Sequence, residues 1–260
     1  MNLPLSEGGN AIPDSVDIIK EYVPALIKQV QAILPGYNIE PHVGSAGFKV
    51  ASGDMDLFLD ETQVVDKAGT KDEKDPVKAA KQRLAMSITE KTGFQTVIKG
   101  RNVHVRMPLP DGRFGQVDLM VIPNSREVAP WHQHGPRGSY EDPDFKGNAI
   151  FIVMNSLGKP LGLKFDAFSG RLLRRDNNET VAGPDRDSVA DKLIPGARGS
   201  DFDSVKKIVQ ALKIKDPANM DIKLAQARGD AAKGLIQLPE SVDEGSPTWF
   251  RQMQSMMVNP

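Results

Sequence analysis

The chain has 260 residues, 39% of them hydrophobic, with 23 glycines and 19 prolines, a composition that excludes collagen-like and largely disordered chains. It contains no cysteine, which excludes disulfides, thiolate zinc sites and cysteine nucleophiles. Lysines and arginines number 33 against 34 aspartates and glutamates, and the net charge of −1 means that any polynucleotide must be bound by a local patch.

The first predicted element is a helix that begins at Asp14 or Ser15. Apolar residues recur along it at spacings of three and four. We expect Pro24 to kink this helix and Pro35-Gly36 to end it. A short extended stretch at His42-Val43 follows.

The segment DMDLFL, residues 54–59, predicts a strand. Its apolar residues Met55, Leu57 and Leu59 alternate with two aspartates, so the two kinds of side chain lie on opposite faces. Residues 64–75 are polar and predict a loop.

A second helix is predicted to begin at Asp75-Pro76 and to end just before Gly93. The turns Gly100-Arg101 and Pro110-Asp111-Gly112 then separate three short strands, predicted over residues 94–99, 103–107 and 116–122. This order of helices and strands predicts an α+β fold with a mixed or antiparallel sheet.

Residues 124–143 are rich in proline, glycine, histidine and charge, and they mark the end of the first unit. Beyond them we predict a helix over 143–157, a hairpin with strands at 163–168 and 171–174, and helices over 201–212 and 218–228. The predicted domains are residues 1–130, a smaller α+β unit over 131–238, and a C-terminal tail over 239–260.

The chain shows no targeting pattern. Residues 1–13 lack the basic and apolar regions of a signal peptide. The longest apolar run, residues 149–154, is far shorter than the roughly 18 residues that span a bilayer. We therefore expect a soluble, cytoplasmic protein with no membrane partner.

The strongest chemical signal is a group of aspartates on predicted strands. Asp54 and Asp56 point to the same side of one strand. Their Cα atoms lie about 6.6 Å apart at roughly 3.3 Å per residue. Asp118 repeats the pattern in QVDLMVIP, where apolar residues flank it on both sides. If the two strands are neighbours, three carboxylates meet, which suits oxygen-preferring ions such as Mg²⁺ and is enough for a pair of them.

The segments VGSAGFKVASGDMDLFLD and QVDLMVIP together resemble the nucleotidyltransferase superfamily, and most closely the palm of family X, or DNA polymerase beta-like, polymerases. The resemblance covers roughly residues 43–123. It implies a nucleotidyltransferase palm for the first unit. The loop, helix and extended chain over residues 138–163 are loosely similar to a polymerase thumb.

The resemblance also implies a role for each matched residue. Asp54 and Asp56 match the carboxylates that ligate two ions, Mg²⁺ or Mn²⁺, and Asp118 matches the ligand of the catalytic ion near the attacking hydroxyl. Gly44 and Ser45 match the pair that holds the triphosphate, where backbone N–H groups and a hydroxyl meet phosphate oxygens.

The chain departs from family X after Gly44-Ser45. Ala46-Gly47-Phe48 stands where those polymerases carry arginines, which leaves Lys49 as the nearby cation for a phosphate contact. The segment before Gly44 is also too short for the family's lyase and helix-hairpin-helix modules. We therefore expect short additions rather than gap-filling repair.

The expected activity is transfer of a nucleoside monophosphate from an NTP, such as ATP, or a dNTP to a hydroxyl, with pyrophosphate leaving. The expected acceptor is a polynucleotide 3′ end. Two alternatives stay open: a nucleotide-binding or assembly protein that keeps the fold without turnover, and an enzyme that nucleotidylates a protein or transfer RNA.

The candidate surface for a polynucleotide is a group of cations in the second unit. It comprises three arginines around the predicted hairpin and two lysines on the following helix: Arg171, Arg174, Arg175, Lys206 and Lys207. Asp201 and Asp203 are interspersed among them, and the alternative is an ordinary solvated face.

The histidines are weaker candidates for metal ligands than the aspartates. His104 alternates with Val103 and Val105 on a predicted strand, and we expect a structural or surface placement for it. His132 and His134 lie in a loop rich in proline and glycine without a nearby third ligand, which favours solvated side chains.

Overall fold

A five-stranded mixed sheet forms the centre of the first of two units into which the chain divides, residues 1–133 and 134–260. The computed structural model describes residues 11–133, 149–234 and 238. These residues form eight α-helices and ten strands, which confirms the α+β prediction. The two units divide after residue 133, close to the boundary predicted after residue 130. The predicted tail, residues 239–260, lies outside the described residues.

The described part of the first unit contains seven strands and four α-helices. In chain order they are β1 (Ile18–Ile19), α1 (Val23–Ile33), β2 (Ile39–Val43), β3 (Ala51–Ser52), β4 (Asp54–Asp60), α2 (Glu61–Ala68), α3 (Pro76–Thr92), β5 (Thr96–Lys99), β6 (Asn102–Pro108), β7 (Phe114–Ile122) and α4 (Ser125–His132). The strand order in the sheet is β2-β4-β7-β6-β5, and β1 pairs separately with β3. Only β4 and β7 are parallel, because the other neighbours in the sheet pair antiparallel.

One face of this sheet is a continuous apolar surface covered by α1 and α3. The alternating residues of β4 and β7 that face it are all buried: Met55, Leu57, Leu59, Val117, Leu119 and Val121. Helix α4 packs on the opposite face near one end, where Phe58 and Ile122 pack against Val128. The rest of that face carries the polar side chains of β4, β6 and β7.

The first helix begins later than its apolar spacing predicted. Ile18–Ile19 forms a strand that pairs with Ala51–Ser52, and α1 starts at Val23. Pro24 therefore lies in the first helical turn and does not kink the helix. A proline costs little there, because the N–H groups of the first turn have no partner within a helix.

Two segments predicted as loops are helical. Helix α2 includes residues 64–68 of the loop predicted over residues 64–75, with Asp60 as its N-cap and Gly69 in the left-handed conformation at its end. Val64 is its one buried residue, and the other seven residues of the helix are exposed or partly exposed. Helix α4 lies within the predicted boundary segment 124–143 and includes Pro130. By contrast, α3 begins and ends as predicted, at Asp75-Pro76 and Gly93.

The described part of the second unit combines four α-helices with an antiparallel sheet of order β10-β9-β8. The predicted hairpin is confirmed, whereas β10 and α6 were not predicted. The elements are α5 (Ala149–Gly158), β8 (Leu163–Asp166), β9 (Arg171–Arg174), β10 (Thr180–Ala182), α6 (Arg186–Leu193), α7 (Val205–Lys215) and α8 (Met220–Ala232). No helix in the described ranges combines the length and the apolar character needed to cross a bilayer.

The close contact between β1 and β7 gives a test of this packing. A Cβ at Gly115 would lie 2.7 Å from Ile18 Cγ1 and 3.1 Å from Leu109 Cδ2. We expect Gly115→Ala to lower the free energy of unfolding by about 1–3 kcal/mol, because overpacking displaces well-packed neighbours. Urea denaturation measures this loss. Gly229→Ala, in α8 with no neighbour within 4 Å, should keep or raise stability. A Gly115→Ala protein as stable as wild type would contradict the packing.

Candidate metal centre

Three aspartates converge on the polar face of the first unit's sheet. Asp54 and Asp56 belong to β4, and Asp118 belongs to the neighbouring strand β7. One carboxylate oxygen from each residue lies within 4.8 Å of the corresponding oxygens of the other two. The structure therefore brings together the three carboxylates that the sequence singled out.

The register between β4 and β7 produces this convergence. The two strands are parallel, with Asp56 directly opposite Asp118 and Asp54 opposite Gln116. Neighbouring strands lie about 4.8 Å apart, so side chains at paired positions on one face meet. The intervening apolar residues point to the buried core on the other face, so a shift by one residue would bury the charges there.

The carboxylate of Asp56 lies in an unfavourable electrostatic environment. Its pKa is raised well above the ordinary aspartate value, first by burial and then by the negative charges of Asp54 and Asp118. Within the described residues, the Asp56 side chain accepts no hydrogen bond. A proton or a bound cation is thus needed to offset the repulsion.

Asp118 has a different environment, with a hydrogen-bond donor from each of three side chains. His104 Nδ1 lies 2.7 Å and Gln116 Nε2 lies 2.9 Å from its Oδ1, and Asn102 Nδ2 lies 3.3 Å from its Oδ2. The side-chain oxygen Oε1 of Gln116 in turn accepts hydrogen bonds from the backbone N–H groups of residues 11 and 12, at 3.1 and 3.0 Å. Asp118 is only 4% exposed, so these donors replace water around its carboxylate.

His104, Gln116 and Asn102 were not predicted as site residues, and the expected surface alternative for His104 is wrong because its imidazole is buried. A usable signal was present in the strands predicted over residues 103–107 and 116–122 and in the turn between them. The turn centred on Asp111 pairs residues that lie equally far from it on β6 and β7. His104 and Asp118 are such a pair, so the turn alone predicts that they are neighbours on one face.

Gly44 is in close contact with the aspartates. Its φ of +75° is in the left-handed region, and a Cβ built on it would collide with Asp56 Oδ2 and lie 3.3 Å from Asp56 Cγ. The Gly44 N–H donates to the carbonyl of His132 at 3.2 Å, so the donors that this turn offers to a phosphate are those of the residues that follow it. Glycine is required here so that the backbone can approach the Asp56 carboxylate.

The turn after Gly44 retains free donors. Within the described residues, the backbone N–H groups of Ser45, Ala46 and Gly47 donate no hydrogen bond. The Ser45 hydroxyl lies 3.0 Å from the Ser52 hydroxyl. Successive unpaired N–H groups in a turn form a concavity that suits an anion.

Lys49 lies at the end of this turn. Its side chain is half-buried, and its backbone N–H donates to the Ser45 carbonyl at 3.2 Å. In the part of the chain that the structure describes, its ammonium group makes no ion pair. It is therefore available to a ligand, although no contact joins it to the aspartates.

The cations expected to bind a polynucleotide are partly engaged within the second unit. Lys207 pairs with Asp203 at 3.2 Å, and Arg174 pairs with Glu179 at 3.5 Å. Arg175 donates through Nε to the Leu163 carbonyl at 2.7 Å. Arg171 and Lys206 make no ion pair with a described residue.

Of the two histidines set aside as ligands, His132 belongs to α4, where its ring packs edge-on against Phe58 with centroids 4.8 Å apart, and His134 lies outside the described residues.

The donor set fits a hard divalent cation. All three candidate ligands are carboxylates, which suit Mg²⁺ and Mn²⁺ rather than Zn²⁺ or copper ions. The raised pKa of Asp56 supports the same conclusion, because a cation at the centre would offset both the burial of its charge and the repulsion by Asp54 and Asp118 that raise it. Asp54, Asp56 and Asp118 are therefore the residues that would hold the metal.

Comparison of the chain with protein-family models gave no match, and comparison with curated proteins gave none. Its function must therefore be inferred from the residues of the site itself.

Replacement of Gly44 tests the contact between the turn and the aspartates. We expect Gly44→Ala to weaken Mn²⁺ binding at least about tenfold, because the new methyl group forces the Asp56 carboxylate out of the group. Gly93→Ala is the matched control, since Gly93 has a similar φ of +70° but no neighbour within 4 Å. Both variants should lose about 1–2 kcal/mol of stability through backbone strain. Titration of Mn²⁺ by electron paramagnetic resonance measures the binding, and equal affinities in the two variants would contradict the contact.

The pKa of Asp56 predicts how stability depends on pH. The folded protein keeps a proton on Asp56 at pH values where the unfolded chain has lost it. In the absence of divalent ions, the contribution of Asp56 to the free energy of unfolding should therefore fall as pH rises above about 3.9, the ordinary aspartate value, toward the raised pKa. Asp56→Asn should flatten this fall and increase stability at neutral pH.

Urea denaturation in the presence of a chelator, repeated across that pH range, makes the comparison. Asp72→Asn removes an exposed carboxylate from a loop of the same unit and serves as the control for lost charge. If Asp56→Asn lowers stability at neutral pH, the cost of a buried Asp56 charge beside two other carboxylates is not the dominant effect at this position.

Proposed function

We propose that the first unit is a metal-dependent nucleotidyltransferase with a polymerase beta-like palm. It would transfer a nucleoside monophosphate from an NTP or a dNTP to a hydroxyl group. The observation that carries this proposal is the convergence of Asp54, Asp56 and Asp118 beside the Gly44-Ser45 turn. A mixed sheet with two parallel central strands presents all of them on one face.

The three aspartates would together ligate two ions. Asp54 and Asp56 are adjacent on one strand face and suit both ions, whereas Asp118 approaches from the neighbouring strand and suits one. When bound, the ions neutralise the triphosphate and lower the pKa of the attacking hydroxyl. The raised pKa of Asp56 supports this, because repulsion among the carboxylates makes cation binding favourable.

The turn at Gly44 would hold the triphosphate. The free N–H groups of residues 45–47 and the Ser45 hydroxyl are the donors for phosphate oxygens, and Lys49 is the nearest cation in sequence. Because Gly44 touches the Asp56 carboxylate, phosphates on this turn lie next to the aspartates. Positioning and charge neutralisation are the two contributions that phosphoryl transfer needs most from a protein.

The proposed acceptor is a polynucleotide 3′ end. Among the described residues Arg171 and Lys206 have no ion-pair partner, which makes them candidate contacts for the polynucleotide. The ion pairs of Lys207 and Arg174 reduce the positive charge available for a long nucleic acid. These pairs favour short additions, and they give some support to a second candidate, nucleotidylation of a protein. The two candidates use the same aspartates and differ only in the acceptor.

Substitution of Asp118 tests the proposal most directly. We expect Asp118→Asn to remain folded, because the amide is nearly isosteric, and to lose at least about 10³-fold in turnover, since a charged ligand is removed. Turnover is measured with each α-labelled triphosphate, Mg²⁺ or Mn²⁺, and a panel of DNA, RNA and protein acceptors. Asp72→Asn, which alters an exposed loop carboxylate, should retain full turnover.

Binding is measured on the same proteins by thermal denaturation. A divalent ion with triphosphate should raise the melting temperature of the wild type, because a ligand of the folded state stabilises it. A fully active Asp118→Asn protein would refute the assignment. Label appearing only on protein acceptors would select the second candidate.

A further inference from the structure

The two oxygens of Asp118 have unequal surroundings. Oδ1 receives His104 Nδ1 at 2.7 Å and Gln116 Nε2 at 2.9 Å, while Oδ2 receives only Asn102, at the longer distance of 3.3 Å. His104 and Gln116 are buried, with exposed fractions of 7% and 2%. Asp118 is therefore held mainly through one of its oxygens.

The chemistry of the three groups determines which of them donate. An ionised carboxylate has no hydrogen, so the 2.7 Å contact requires the hydrogen to be on His104 Nδ1. Gln116 Nε2 lies 3.2 Å from that nitrogen, but a protonated Nδ1 has no lone pair to accept with. Both His104 and Gln116 thus donate to Oδ1 of Asp118.

Two donors occupy both in-plane lone pairs of Oδ1, because a carboxylate oxygen offers about two such sites. Oδ2 keeps one lone pair beyond the weak contact from Asn102. The positions are rigid, since His104 and Asp118 are paired residues of adjacent strands and Gln116 is itself held by the backbone of residues 11 and 12.

We propose that His104 is a positioning residue that restricts Asp118 to a single ligating oxygen, Oδ2. This inference rests on the proposed function, in which Asp118 is a metal ligand. With Oδ1 occupied, Asp118 binds one ion through one oxygen. Asp56, which accepts no hydrogen bond from the described residues, keeps both oxygens for the ions. The difference between the two carboxylates thus lies in their hydrogen-bond partners.

The test compares variants that keep or remove the donor at the Nδ1 position. The amide nitrogen of asparagine lies where Nδ1 lies in histidine, so His104→Asn keeps the donor, whereas His104→Leu removes it. Val103→Ala is the matched control, because it removes buried contacts from the opposite face of the same strand. If His104→Leu does not fold, His104→Gln replaces it, since its amide nitrogen reaches the Nε2 position instead.

Mn²⁺ affinity is measured by electron paramagnetic resonance, independently of turnover. We expect His104→Leu to bind Mn²⁺ about 10–100-fold more weakly, which is the usual effect of losing a partner of a metal ligand. His104→Asn should stay within about threefold of wild type, and Val103→Ala should lower the melting temperature without changing Mn²⁺ affinity. In turnover, His104→Leu should lower kcat and leave KM for the triphosphate nearly unchanged.

The outcomes separate this inference from the proposed function. Equal Mn²⁺ affinity in His104→Leu and wild type would overturn the role of His104 while leaving the metal centre intact. An affinity loss in His104→Asn as large as in His104→Leu would also overturn it, because the donor would then not be what matters. A wild-type protein that binds no Mn²⁺ would overturn both the inference and the proposed function.

Discussion

The parallel pairing of β4 with β7 is the constraint on which the candidate site depends. It places Asp56 directly beside Asp118 and thereby brings together charges of one sign that repel in the absence of a cation. The same register points Leu57 and Leu119 into the apolar core on the other face. Because side chains alternate along a strand, the core cannot form in this register without also assembling the three carboxylates.

The carboxylates of Asp118 and Asp56 have opposite hydrogen-bonding environments. Asp118 is almost completely buried but receives three side-chain donors, which compensate for the loss of water. Asp56 has no such donors among the residues that the structure describes, and burial together with its neighbours raises its pKa. Gly44 packs against its carboxylate without a side chain. The fold supplies hydrogen-bond donors to the Asp118 carboxylate, whereas the charge of Asp56 must be offset by a proton or a cation.

Local signals in the sequence predicted those elements whose ends are marked by single residues. Asp75, Pro76 and Gly93 bound α3 as expected, because a cap, a first-turn proline and a left-handed glycine act through the backbone next to them. The start of α1 was wrong, since apolar spacing does not distinguish Ile18 in a helix from Ile18 paired with Ser52. Helix α2 was missed because it buries only Val64.

The sequence by itself determined that Asp54 and Asp56 share one face of a strand opposite an apolar core, because the period of a strand is two residues. It also placed Asp118 on a second strand of the same pattern. Only the tertiary structure decided that these strands are parallel neighbours, and that the N–H of Gly44 is used by His132. Pairing between segments far apart in the chain depends on how the whole sheet buries its apolar face, which no local pattern encodes.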